Sequence, residues 1–238
     1  MKIALLGYGK MGKAIEAETL KRGHTIFLRI DSEEEWKTKE NLLSQADVAI
    51  EFSMPDMAVA NIHKCFSCNT SVVVGTTGWE KEFDTIKKEC LDGDNSMFVA
   101  SNFSIGMNVF FEVNKKLAQL MNRFGEFDVS IEELHHKHKL DAPSGTAKVL
   151  ADQIIKEIER KNKWVSGKGS SADELNIFSK REAEAPGTHL VSYLSEMEKI
   201  EIVHTAFDRR VFAKGAVMAA EWLQGKQGFF GMGDFLFD

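Results

Sequence analysis

Short apolar runs alternate with helically spaced stretches through the first half of this chain. Ile3 to Leu6 is an unbroken apolar run that stops at Gly7, and it reads as a strand. The spacing predicts a helix from about Met11 to Arg22 with Ile15 and Leu20 turned inward. Thr25 to Ile30 reads as a second strand ending at Asp31. After a charged stretch come a strand at Asp47–Phe52, a helix from Met57 to Cys65 and a strand at Ser71–Val74. A helix over Lys81–Cys90 and a strand at Ser96–Ala100 complete the series. Strands and helices joined by short connections imply a parallel sheet covered by helices.

The second half has a different pattern. A helix is expected from Gly106 to Phe124, then a strand at Phe127–Leu134, then a helix over 145–161. Lys163 to Asp173 is rich in Gly, Ser and Lys and reads as a mobile loop. Asn176–Arg181, Gly187–Ser195 and Glu198–Ala206 alternate like antiparallel strands, and Val211–Gln224 reads as a last helix. The expected fold class is α/β. It combines an N-terminal Rossmann-like parallel-sheet domain with a second α+β domain built on a mixed or antiparallel sheet.

At 238 residues the chain can form one large domain or two small ones. Its formal charge of −6 gives no basic surplus for a nucleic acid or an anionic membrane. No apolar run reaches the ~18 residues of a membrane span. Met1 leads directly into the first strand and nothing there resembles a signal peptide, so a cytoplasmic, reducing location is expected. Cys65 and Cys68 have a CxxC spacing but no second pair to complete a zinc site, and with Cys90 they are expected to be structural or incidental thiols.

The densest chemistry lies in residues 131–147, IEELHHKHKLDAPSGTA. His135, His136, His138 and Lys139 precede Asp141, Pro143, Ser144, Gly145 and Thr146. Three readings compete: a solvated polar loop, a metal site, and an acid/base and anion-binding site. Adjacent histidines point in different directions, and no HExxH or Cys-His pattern is present, so no metal is expected. Histidine titrates near neutral pH, and lysine adds positive charge, which favours the third reading. Pro143 disfavours helix at Ala142, so the following helix begins near Ser144 to Thr146. Its first amides lack partners within the helix and can bind an anion, while Gly145 permits close approach. A plain Ser or Thr N-cap is compatible with the same residues.

Gly7-Tyr8-Gly9-Lys10-Met11-Gly12 is a GxGxxG directly after a strand and opening a helix, the context in which this pattern signals a dinucleotide. Asp31, at the end of the next strand, can accept hydrogen bonds from the adenosine ribose. Gly75-Thr76-Thr77-Gly78 and Ala100-Ser101-Asn102-Phe103 follow later strands, where ligands of open parallel sheets bind. Taken singly, each is equally readable as a simple turn.

With these motifs in order, the chain resembles the bacterial dihydrodipicolinate reductases of lysine and diaminopimelate synthesis. GYGKMG, GTTG, SNFSIGMN, ELHHKHKLDAPSGTA and the closing HTAFDRRVFAKGAVMAAEWL carry the likeness nearly end to end. The resemblance implies His135 as principal acid/base residue, Lys139 as its catalytic partner and His136 as a substrate contact. Gly145 and Thr146 would hold a substrate carboxylate. Gly7 to Gly12, Asp31, Gly75 to Thr77 and Ala100 to Phe103 would contact NADH or NADPH. It also implies a homotetramer, a small dicarboxylate substrate, and a discontinuous nucleotide domain of residues 1–105 plus 215–238 around a substrate and oligomerisation domain of 106–214. NADPH users of the family often carry a basic residue after the acid. Here Ser32, Glu33, Glu34 and Glu35 follow Asp31, so NADH is expected to serve at least as well, although Arg29, Lys10 and Lys37 could offset the acids. An aspartate dehydrogenase-like enzyme and a non-catalytic NAD(H)-sensing module are the alternatives.

Overall fold

In the computed structural model, which describes residues 1–137, 139–182 and 187–237, the short apolar runs of the first half form strands. The order is β1 (Lys2–Leu6), α1 (Lys10–Lys21), β2 (Thr25–Ile30), α2 (Glu33–Lys39), β3 (Val48–Glu51), α3 (Pro55–Ser67), β4 (Val72–Val74), α4 (Phe83–Asp92) and β5 (Ser96–Val99). Then follow α5 (Ile105–Met121), β6 (Asp128–His136), α6 (Gly145–Glu157), β7 (Lys163–Ser166), β8 (Glu174–Glu182), β9 (Thr188–Leu194) and β10 (Lys199–Thr205). The chain closes with α7 (Arg210–Leu223), β11 (Gly228–Phe230) and α8 (Met232–Phe237). It divides into two compact units, Met1–Ile105 with Arg210–Asp238, and Gly106–Arg209. The return boundary falls at Arg210 rather than 215, because α7 starts there.

The first unit is built on a six-stranded sheet of order β11-β5-β4-β3-β1-β2, in which every pair is parallel. Both faces are covered, which explains the unbroken apolar runs. Ala4, Leu6, Ala49, Val72 and Val74 pack against Ala58 and Ile62 of α3 and Ile86 of α4. Ile3, Leu5, Ile50, Val73 and Phe98 pack against Ile15 of α1 and Ala213, Ala216, Val217 and Ala220 of α7. The small side chains of α7 allow close approach: a Cβ on Gly215 would lie 1.7 Å from the Phe103 carbonyl oxygen. Leu20, expected inward, is exposed, and Thr19 is buried in its stead. The charged stretch after Asp31 folds into α2, held by Trp36, the one buried residue of that helix.

The second unit holds a mixed sheet of order β10-β9-β6-β8-β7. β9 pairs antiparallel with both β10 and β6, but β8 runs parallel to β6 and β7. The antiparallel series expected from 176 to 206 therefore holds only for β9 and β10. The segment 163–173 is not a plain loop either. Its first residues form β7, and the amides of Ser170 and Ser171 donate to the Glu174 carboxylate. α6 ends at Glu157, short of 161, because the chain turns there and buries Lys161, whose Nζ donates to the carbonyls of Ala172 and Glu174. Val129, Ile131, Leu175, Ile177, Val191 and Tyr193 from the sheet meet Met107 and Phe110 of α5 and Ala147, Leu150 and Ile154 of α6 in one core.

Candidate active site

Three adjacent strands of the mixed sheet carry apolar stripes that turn polar at one end. On β6 every second residue is buried: Val129, Ile131, Glu133, His135. Such alternation places all four on one face. Register sets Glu133 beside His189 of β9 and His135 beside Arg181 of β8. Val191 and Tyr193 continue the β9 stripe into the core, as Leu175 and Ile177 continue that of β8. The polar ends thus gather Glu133, His135, Arg181 and His189 at the margin of a dry core.

Helix α6 caps this group. Ser144 is its N-cap, accepting from the Ala147 amide, while the Ser144 amide itself donates to both Glu133 carboxylate oxygens, at 3.2 and 3.1 Å. Arg181 Nη2 donates to Glu133 Oε1 at 3.2 Å. His135 Nδ1 lies 3.6 Å and His189 Nε2 3.8 Å from Glu133 Oε2, beyond hydrogen-bond length but close for charges. Ser144 Oγ is 3.3 Å from His189 Nε2. The two imidazoles meet edge to face, with ring centroids 5.1 Å apart.

The electrostatics follow from burial. Burial alone would raise the Glu133 carboxyl, but bonds from Ser144 and the charge of a protonated His135 outweigh it, and the net shift is downward. Burial lowers His135, opposed by the Glu133 carboxylate and reinforced by Lys139 and Arg181. Burial and the neighbouring His135 push His189 down to about 3, so it is neutral at any working pH.

Of the residues expected here, His135 and Lys139 lie in the same unit, and Lys139 Nζ pairs with Asp141 at 2.8 Å. His136, next along β6, faces away from His135, and its Nε2 lies 3.3 Å from Arg209 Nη2. His138 lies outside the described residues. Gly145 is exposed and Thr146 half-buried in the first turn of α6, and a Cβ at Gly145 would meet nothing within 4 Å. The Ser144 side chain accepts the Ala147 amide, so the turn carries the Ser N-cap that the sequence allows. Glu133, Arg181 and His189 were not singled out as site residues. The signal for Glu133 was present: it stands at an inward position of an otherwise apolar alternation. Ligand atoms of Glu133, His135 and His189 lie within 4.8 Å of one another, a spacing that suits a metal. Arg181 and the Ser144 amide already occupy that carboxylate, and a guanidinium there repels a dication.

The first unit carries the glycine turn. Gly7 has φ +93°, and its Cβ would lie 2.3 Å from the Phe52 carbonyl oxygen; a Cβ on Gly12 would lie 2.4 Å from the Gly7 carbonyl oxygen. Gly9 has nothing within 4 Å of such a Cβ, which leaves the backbone open to a ligand. Helix α1 begins at Lys10 and Met11 with no side-chain cap, so its first amides are available to a pyrophosphate. Asp31 Oδ1 accepts the Tyr8 amide at 2.7 Å, and Glu35 accepts the Asp31 amide at 2.7 Å. A cavity of about 200 Å³ beside them is lined by Gly7, Gly9, Asp31, Ser32, Phe52 and Ser53. These residues fit a dinucleotide. Arg29, considered a counterweight to the acids, is held by Glu16 at 2.6 Å and faces the Tyr8 ring. Of the later loops, Gly75 follows β4, and Thr76 Oγ1 accepts the Ser53 amide ahead of Thr77. Ala100, Ser101 and Asn102 follow β5, but the Phe103 side chain is buried against Phe52 and Phe98. Cys65 is buried, which pushes its thiol up and leaves it unreactive.

Comparison with known proteins gives a consistent answer. Residues 1–103 match the family model "Dihydrodipicolinate reductase, N-terminus" and residues 106–236 match "Dihydrodipicolinate reductase, C-terminus". The chain is 46% identical over 238 residues to the 4-hydroxy-tetrahydrodipicolinate reductase of Christiangramia forsetii, covering 100% of this chain and 98% of the relative. It is 36% identical to that of Aquifex aeolicus over 95% of this chain and 83% of the relative. Among solved structures, a dipicolinate-bound dihydrodipicolinate reductase from Paenisporosarcina sp. TG-14 superposes with a TM-score of 0.74, at 20% identity over 97% of both chains.

Proposed function

We propose, from the premise that this chain belongs to the dihydrodipicolinate reductase family, how its residues carry out NAD(P)H-dependent reduction of dihydrodipicolinate to tetrahydrodipicolinate in lysine and diaminopimelate synthesis. The observation that supports these roles is the polar end of the mixed sheet, where His135 sits over a buried carboxylate beside the first turn of α6. The substrate is a conjugated cyclic imine bearing two carboxylates. When bound, a dihydronicotinamide would supply the hydride that C4 of that ring accepts. The neighbouring carbon must then gain a proton, and His135 delivers it. Lys139 adds positive charge against the dianionic ring, and the Gly145 and Thr146 amides hold one carboxylate. His136 contacts the other side of the substrate.

Gly7 to Gly12 hold the pyrophosphate, and Asp31 the adenosine ribose, with Gly75 to Thr77 and Ala100 to Phe103 lining the nicotinamide half. Asp31 has acids at its back in α2 and no basic residue immediately after it, which supports use of NADH at least as well as NADPH. A homotetramer is supported by the edge strand β10, which leaves Ile200 and Val203 exposed, next to Leu194 and Met197. A cytoplasmic setting fits a biosynthetic enzyme of this family, and among the described residues no helix is long and apolar enough to cross a membrane. A sensing module has no use for the proton donor, and relatives along the whole chain are reductases, so neither alternative is favoured. The test supplies substrate in situ from pyruvate and aspartate semialdehyde through the preceding synthase and follows NADH and NADPH oxidation. Consumption of neither would overturn the reading.

A further inference from the structure

We propose that Glu133 is a positioning residue for the proton donor: it turns His135 so that Nδ1 faces inward and Nε2 faces the reacting carbon. The inference rests on the reading of His135 as that donor.

The geometry carries it. Glu133 is 1% exposed on the inward face of β6, at a position where the alternation calls for a core residue. A carboxylate there is costly unless something requires it. Helix α6 supplies the Ser144 amide, bound to both of its oxygens, and β8 supplies Arg181. β9 supplies His189, and His135 stands above it on its own strand, with Lys139 and Asp141 further along. His189 is neutral, so the charges around Glu133 are those of Arg181, Lys139, Asp141 and, when protonated, His135.

The carboxylate accepts hydrogen bonds and donates none, so the imidazole tautomer with its proton on Nδ1 is the one that suits Oε2. At 3.6 Å this is a charge contact that shortens to a hydrogen bond when His135 is protonated. Nε2 lies on the opposite ring edge. A Cβ at Gly187 would stand 3.4 Å from it, so a side chain at this position would crowd that edge. Burial, Lys139 and Arg181 all disfavour the imidazolium. The Glu133 charge opposes them and limits the fall of His135 below the ordinary histidine value. Because the same carboxylate grips the residue before Gly145, it also ties the donor to the turn that holds the substrate carboxylate.

The experiment compares wild type, Glu133→Gln, Glu133→Asp and His135→Gln by the pH profile of kcat/KM with in situ substrate and NADH, alongside thermal melting. The alkaline limb of the wild type reports loss of the proton from the donor. In Glu133→Gln it should move to lower pH by about one unit or more, as expected on losing an opposite charge at this range. Activity at neutral pH should drop roughly 10–100-fold, typical of second-layer partners of a histidine. Glu133→Asp should restore part of the shift. An unmoved limb in a folded Glu133→Gln variant overturns the proposal. If the variant does not fold, imidazole 15N spectra of the wild type decide: neutral His135 carrying its proton on Nε2 overturns the proposal, and on Nδ1 supports it. Wild-type turnover in His135→Gln would instead reject the donor reading itself.

Discussion

Asp31 Oδ1 accepts the Tyr8 amide at 2.7 Å, fastening the end of β2 to the glycine turn. The carboxylate is thereby held beside the cavity that Gly7 and Gly9 line. Replacing Asp31 by Ala removes the charge that a 2′-phosphate would meet. The ratio of kcat/KM for NADPH to that for NADH should rise. Arg29 is committed to Glu16, and of the α2 acids Glu35 is paired with Lys39 at 2.6 Å. A wild type with clearly higher kcat/KM for NADPH would show that Asp31 does not discriminate.

His135→Gln and Lys139→Ala should each lower kcat by ~10²–10⁴, the range for removal of a positioned acid/base group. NADH affinity, measured by fluorescence titration, should stay near the wild-type value, because both residues lie in the second unit and the glycine turn in the first. Equal weakening of NADH binding would assign them to folding or cofactor binding.

Stability should fall as the medium is acidified below neutrality. The ordinary histidine pKa is 6.5, and His189 in the folded protein lies at about 3. Above 6.5 neither state is charged, and no penalty arises. Between 6.5 and about 3 the unfolded chain takes up a proton that the folded one refuses, so stability is lost as pH falls. The melting temperature should decline from pH 7 to pH 5, and His189→Gln should flatten that decline. An identical slope in the variant would place the acid sensitivity elsewhere.

Gly215→Ala should destabilise the first unit, since the new methyl would lie 1.7 Å from the Phe103 carbonyl oxygen. Overpacking of this kind costs ~1–3 kcal/mol or more. Thermal melts should show it as a clear downward shift, and a melt like the wild type would mean that α7 can move off the segment at Phe103 without penalty.

Val203→Glu on the exposed edge strand β10 should dissociate the proposed tetramer, because it introduces charge on the exposed strand face, opposite Leu190 of β9. Sedimentation should change from tetramer to smaller species. An unchanged assembly would remove β10 from the interface.

The alternating strands and helices of the first unit were legible because doubly covered parallel strands are continuous apolar runs, as Ile3–Leu6 and Val72–Val74 are. The orientation of β8 was not, since a half-buried strand alternates with period two whichever way its neighbours run. β7 was hidden by its polar composition: Lys163 and Ser166 are exposed, and only Trp164 and Val165 are half-buried. Helix α2 was obscured by its glutamates, which belong to the solvent side and the first turn, leaving Trp36 as the single inward clue. β11 and α8 were missed because Gly228–Phe230 and Met232–Phe237 are too short for any period to stand out. At the site, clustering drew the eye to the histidines and lysine after residue 134. Arg181 and His189 lie far along the chain, on the two strands flanking β6, and meet His135 only through pairing register.

The stripe Val129–Ile131–Glu133–His135 makes one strand answer to two demands. A slip of one residue along β6 would bury Ser130, Glu132, Leu134 and His136 in their place, taking Val129 and Ile131 out of the core and breaking the pair of carboxylate and imidazole, since Leu134 would take the place of one of them. Insertions and deletions in β6 are therefore screened for activity by the same event that screens them for folding. Variation can accumulate at the outward positions, but length in this strand has no neutral alternative.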